Sequence, residues 1–128
     1  MLFSMKKSIL LSFAALLAMT QASTADFRHI VLFKFKQSAT PEQIREIESA
    51  FAKLPGEIDV IKDFEWGKMD NAEVGMNDGF THSFLVTFKN KADLQKYLPH
   101  AAHQTFVGKV RPLIEKALVF DCDAKEKE

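Results

Sequence analysis

Ten residues, Phe27 to Lys36 (FRHIVLFKFK), constrain the fold of this chain more than any other stretch. Successive side chains of a strand point to opposite faces. Phe27, His29, Val31, Phe33 and Phe35 therefore share one face, and Arg28, Ile30, Leu32, Lys34 and Lys36 the other. The first face is apolar throughout apart from one imidazole, so it needs a helical layer against it. The second is apolar only in its middle, at Ile30 and Leu32.

The following residues supply that layer. Thr40-Pro41-Glu42-Gln43 reads as a helix start, with Thr40 as N-cap, Pro41 at the first helical position and Gln43 completing a capping box. Ile44, Ile47, Phe51 and Leu54 recur at helical spacing, Arg45, Glu46, Ser49 and Lys53 form the polar side, and Pro55-Gly56 is expected to stop the helix. A second strand is expected over Ile58 to Gly67, with Ile61, Phe64 and Trp66 as its large residues, and then a polar, turn-rich loop from Lys68 to Gly79. Phe80 to Phe88 reads as a third strand, with Phe80, His82, Phe84, Val86 and Phe88 on one face. Asn90 caps a short helix through Leu98, carrying Leu94, Tyr97 and Leu98 inward until Pro99 breaks it. A second helical piece, from about His100 to Val110, puts His103, Phe106, Val107 and Val110 in one stripe. The last strand is expected over Ala117 to Cys122, with Val119 and Asp121 on one face and Leu118, Phe120 and Cys122 on the other.

The order βαββαβ makes an α+β unit, one four-stranded sheet with helices on one face. Its other face, with Ile30, Leu32, Leu85, Leu118 and Phe120, is too apolar to stay wet and too large for so short a chain to cover. A second copy packed on the open sheet face is the expected solution. Trp66 and the phenylalanines read as core or dimer packing, and Cys122 as buried at that interface rather than reactive.

Residues 1–25 are set apart from this unit. Lys6 and Lys7 precede an apolar run from Ile9 to Met19 broken only by Ser12, and Thr20 to Ala25 are small or polar. This is the layout of a secretory signal, and the run is well short of the roughly 20 residues that span a bilayer. Cleavage is expected after Ala25, with Ala22 as second choice, and Met5 would also make a usual start. The expected product is a secreted or periplasmic domain over residues 26–123 with a charged tail over 124–128, and no membrane attachment once the signal is gone. Lys plus Arg and Asp plus Glu number 17 each, which gives no electrostatic footing for nucleic acid. One cysteine excludes an intrachain disulfide framework and a cysteine zinc site. No two histidines stand at the i, i+4 spacing of a helical zinc pair, so no metal is expected.

The words HIVLFKFK (29–36), FEWG (64–67), FTH (80–82) with the strand after it, YLPHAAHQTF (97–106), VRPL (110–113) and the terminal FD (120–121) occur in this order. In this the chain resembles the stress-responsive A/B barrel (Dabb) family over essentially its whole length after the leader. The resemblance implies a ferredoxin-like antiparallel unit pairing into a dimeric α/β barrel. One plant member is a metal-free polyketide cyclase with a histidine–tyrosine pair, further histidines and an aspartate in its pocket. On these motifs the pair falls on His103 and Tyr97, the further histidines on His29 and His82, and the aspartate on Asp121.

Alternation and helical spacing place the same polar residues on apolar faces, where each needs a hydrogen-bond partner. The economical arrangement is one shared cavity between sheet and helices, walled by Val31, Phe33, Phe51 and Phe84. A neutral His103 oriented by Asp121 could then take a proton from an acidic carbon. Tyr97 could hold the developing oxygen charge, and His29 and His82 could bind other oxygens. Each imidazole can equally be a satisfied core group, and His100 reads as a surface residue at a helix start. Three readings follow: an exported binder of a small hydrophobic, oxygen-bearing ligand, a cofactor-free acid–base cyclase or lyase, and a structural dimer without ligand.

Overall fold

The computed structural model describes residues 25–127. The expected leader lies outside the described residues except for Ala25. Strand β1 (Phe27–Phe35) leads into helix α1 (Pro41–Glu57), then β2 (Ile61–Lys68) and β3 (His82–Phe88). Helices α2 (Lys91–Tyr97) and α3 (Ala101–Val110) follow, and a 3-10 turn at Arg111–Leu113 delivers the chain into β4 (Ile114–Asp123). The sheet order is β2-β3-β1-β4, every neighbour antiparallel. This is the ferredoxin-like α+β arrangement read from the sequence. Among the described residues no helix is long and apolar enough to cross a membrane.

The start of α1 is as its residues dictate. The Gln43 N–H donates to Thr40 Oγ1 at 3.2 Å, and the Thr40 N–H donates to Gln43 Oε1 at 2.9 Å. Its end differs from expectation, because Pro55 lies inside the helix. Proline there removes one bond of the final turn, and the Ile58 N–H closes that turn on the Leu54 carbonyl at 2.9 Å. Strand β2 consequently begins at Ile61 rather than Ile58, and Ile58 is buried as the helix cap. Strand β3 begins at His82 rather than Phe80, since Phe80 closes a turn on the Asn77 carbonyl just ahead of it. Strand β4 starts earlier than expected, at Ile114, because β1 pairs along its full length.

The core lies between the helices and one sheet face. Val31, Phe33, Phe84, Val86 and Phe88 meet Ile47, Phe51 and Leu54 of α1 and Phe106 and Val110 of α3. Aromatic rings dominate the contact. Phe51 stacks on Phe84 with centroids 4.2 Å apart, and Phe33 and Phe106 lie 5.4 Å from Phe84 and 4.6 Å from Phe51 respectively. On the opposite sheet face Leu118 and Phe120 are exposed, Phe120 by 57%.

Candidate functional site

Tyr97 is the last residue of α2, and the next six residues explain the site around it. Pro99 cannot continue the helix, so the chain turns, and His100 caps α3 by accepting the Ala102 N–H on its Nδ1 at 3.1 Å. His103 lies in the first turn of α3 and reaches back to the carbonyl of Leu98, where its Nδ1 stands at 2.8 Å. Gln104 Nε2 donates to the same oxygen at 2.7 Å. A carbonyl only accepts, so the His103 Nδ1 carries the hydrogen and the Nε2 of the neutral ring is a free base. The carbonyl left open at the end of α2 thus fixes the tautomer of the imidazole.

Three strands and two helices complete the cluster. Tyr97 is fully buried against Phe88. The His103 ring lies 4.3 Å from the Tyr97 ring, and the His29 ring meets it edge-on at 5.7 Å. His29, buried on β1, stands opposite Asp121 of β4 in the strand register, and its Nδ1 is 2.5 Å from Asp121 Oδ1. The Asp121 side chain is 36% exposed, so the cluster touches solvent at the β4 edge. Among the described residues the Tyr97 hydroxyl has no hydrogen-bond partner. A buried hydroxyl in this condition costs about 1–3 kcal/mol.

Burial governs the protonation of the two rings that could do chemistry. It pushes the Tyr97 phenol far above its ordinary value, so at neutral pH the group is a hydrogen-bond donor. It also pulls His103 down, helped by the nearby His29 and His100 and opposed by the Leu98 carbonyl. Burial likewise lowers His82, with Glu48 opposing.

The structure gathers four of the five expected polar residues and redistributes one role. Asp121 orients His29, not His103, because it lies across the β1–β4 ladder from His29 while Leu98 already holds the His103 Nδ1. His82 stands apart. It faces Phe33 in the register, four residues along β3 from the partner of His29, about 13 Å away at strand spacing. Val31, Phe33, Phe51 and Phe84 are buried between the two ends, and the stacked Phe51 and Phe84 leave no room between them for a ligand. His82 therefore lies at the far end of this aromatic packing from the other four residues. Val119, on the same side of β4 as Asp121, is exposed rather than buried. Trp66 is 40% exposed and lies parallel to His82.

One residue of note escapes the sequence reading. Glu48 is buried on α1, its Oε1 3.8 Å from His82 Nε2 and 3.1 Å from Lys68 Nζ. Its signal was a carboxylate on the apolar stripe, four residues after Ile44 and three before Phe51.

Comparison with known proteins agrees with this architecture. Residues 27–124 match the model of the Stress responsive A/B Barrel Domain. The chain belongs to the stress-responsive A/B barrel family. Olivetolic acid cyclase of Cannabis sativa is 35% identical over 94 residues, covering 73% of this chain and 92% of that protein. The solved structure of the hydroxynitrile lyase from Passiflora edulis superposes with a TM-score of 0.76 at 26% identity, over 82% of this chain and 98% of the lyase. A dimeric ferredoxin-like protein of unknown function from Thermobifida fusca YX shares the fold alone, with a TM-score of 0.69 at 20% identity over 80% of this chain and 93% of that one.

Proposed function

We propose that this A/B barrel protein binds a small, oxygen-bearing organic molecule at Tyr97 and moves a proton on it with His103. The observation that carries the reading is the orphaned Tyr97 hydroxyl, buried and flanked by two imidazoles. A buried donor without a partner is satisfied by a ligand oxygen, and the neutral His103 Nε2 is available to take a proton nearby. Neither group needs a metal or cofactor for this. The aromatic packing behind the cluster favours a compact ligand over one with a long apolar tail.

The relatives support proton-transfer chemistry of this kind, one being a cyclase and another a hydroxynitrile lyase by name. For a hydroxynitrile, the step balances simply. His103 Nε2 takes the hydroxyl proton, the bond to the nitrile carbon breaks with its electron pair leaving on cyanide, a carbonyl forms, and the proton passes to cyanide. Tyr97 donates a hydrogen bond to the oxygen throughout.

Two further parts complete the proposal. A second copy covers the open face around Ile30, Leu85, Leu118 and Phe120, as dimeric relatives of the same fold suggest. Residues 1–25 direct export and are removed, so the amino terminus of the exported protein should be Asp26.

The test is a titration with phenol and benzaldehyde followed by ligand-observed NMR, together with release of benzaldehyde from mandelonitrile. The wild type should bind both aromatics, and Tyr97→Phe should lose that binding. If release occurs, His103→Ala should abolish it. Binding unchanged in both variants would overturn the site. Binding without release would leave this site a binder and not an enzyme for hydroxynitriles.

A further inference from the structure

The segment between β2 and β3 is folded over one end of the open sheet face. The Met69 N–H donates to the Thr81 carbonyl at 2.9 Å and the Phe80 N–H to the Asn77 carbonyl at 2.9 Å, which closes the loop at its base. Asp78 Oδ2 meets Lys116 Nζ at 3.0 Å. Gly79, at φ +78°, lies so close to Lys34 that an added Cβ would stand 2.9 Å from Lys34 Cε. Lys34 and Lys116 face each other in the β1–β4 register, on the side of the sheet away from the helices. The loop thus stands as a wall beside a groove of about 870 Å³, with Leu32, Leu85 and Leu118 of the sheet as its floor and Met69 and Met76 on the wall.

That groove is apolar and open. Met76 is 77% exposed, and apolar surface runs on from it over Leu118 to Phe120, the most exposed phenylalanine of the described residues. Phe120 pairs with Ile30, and Ile30 with Leu85, so the ring stands in the same row of the sheet as the groove floor, just beside it. A knob next to its own hole suits a two-fold contact: the rotation that puts one copy's ring into the other's groove does the reverse at the same time. Charge decides which part of a second copy comes to the groove. The rim carries Glu65, Asp70 and Glu73, while Lys68 is matched by Glu48 and Asp78 by Lys116. Two such loops set face to face would oppose acid to acid. Arg28 is exposed on the same face as Phe120 and makes no ion pair among the described residues. The strand pair that carries Phe120 therefore brings an unmatched cation to an acidic rim.

We infer that the β2–β3 loop is a receptor for a second copy of this chain: Phe120 of the partner subunit fills the groove between Met76 and the floor of Leu85 and Leu118, with Arg28 of the partner subunit toward the acidic rim. The inference rests on the second copy proposed for the open face and adds the segment that holds it. It is independent of the activity proposed for Tyr97.

The chain from Asp26 onward carries every strand and helix described above, and Met69 and Met76 are its only methionines. Copies labelled with ¹³C at the methionine methyls and otherwise deuterated are mixed with copies protonated only at phenylalanine, so an Overhauser peak between the two arises only across the interface. Met76 should show such a peak. Phe120→Leu, which keeps an apolar side chain, should lose it while light scattering still gives a dimer. Met76→Asp, which adds a carboxylate among the rim acids, should weaken the dimer at least about tenfold. Val119→Lys, on the opposite face of the same strand, should leave the dimer unchanged. A dimer with no peak at either methionine, one whose peak survives Phe120→Leu, or one as tight in Met76→Asp as in the wild type would overturn the inference and leave the second copy standing. So would saturable phenol shifts at Met69 and Met76 in place of the peak, which would make the groove a ligand site. A monomeric wild type would overturn the loop's role and the second copy together.

Discussion

His29 and Asp121 stand opposite each other in the β1–β4 ladder, with Nδ1 and Oδ1 2.5 Å apart. A carboxylate at that position holds the ring in one orientation, edge-on to Tyr97. Asp121→Leu keeps the strand but leaves His29 without this partner. It should cost about 1–2 kcal/mol in urea denaturation, the range for a partly exposed bond to a charged group. A neutral result would mean that the pair carries no weight in holding the site.

Tyr97 should show the opposite balance between stability and function. Its hydroxyl is buried without a partner, so Tyr97→Phe removes a desolvation cost and keeps the ring. The variant should be more stable by about 1 kcal/mol, raising the thermal midpoint by roughly 4–8 °C for a domain of this size. It should at the same time lose affinity for phenol. A lower midpoint would show that the hydroxyl is satisfied in the folded protein.

Both perturbed imidazoles make stability depend on pH in the same direction. His103 and His82 are each pulled below 6.5 in the folded chain, chiefly by burial. The unfolded chain therefore binds more protons over the window from the ordinary value down to the folded ones. Stability should be full above about pH 6.5 and fall as the pH drops through that window. Any proton abstraction by His103 should be lost over the same range. Histidine-resolved NMR titration should place the His103 midpoint below 6.5, and a midpoint above it would contradict the buried neutral base.

How much of this was legible in the sequence depended on the range of the interaction. Period-2 alternation in Phe27–Phe35 and the Thr40–Gln43 capping box are local, and both appear as read. Membership of one strand or helix face is also local, which is why His29, Tyr97, His103 and Asp121 were recognisable as inward groups. Which inward group meets which is not local. Asp121 finds His29 because of strand register, and His103 is already held by a helix-end carbonyl five residues back. Whether the space between sheet and helices is open depends on how Phe33, Phe51, Phe84 and Phe106 stack, and a list of large apolar residues does not say. Glu48 escaped notice because its neighbours made the helix look amphipathic without it.

The open sheet face gives a prediction about assembly. Phe120 is more than half exposed and faces away from the helices beside Ile30. The domain from Asp26 onward should run as a dimer in light scattering at micromolar concentration. Phe120→Lys should halve that mass, because a charge in the centre of an apolar interface has no partner. A monomeric wild type would remove the second copy from the account.

Tyr97 and His103 should receive one ligand oxygen together beside His29, while His82 lies apart. Long-range ¹H–¹⁵N spectra of the histidine rings, recorded with and without phenol at neutral pH, test it most directly. The expected result is a neutral His103 protonated on Nδ1, with phenol-induced shifts at His29 and His103 and His82 unmoved. A His103 protonated on Nε2, or phenol shifts at His82 and at neither of the other two, would contradict it.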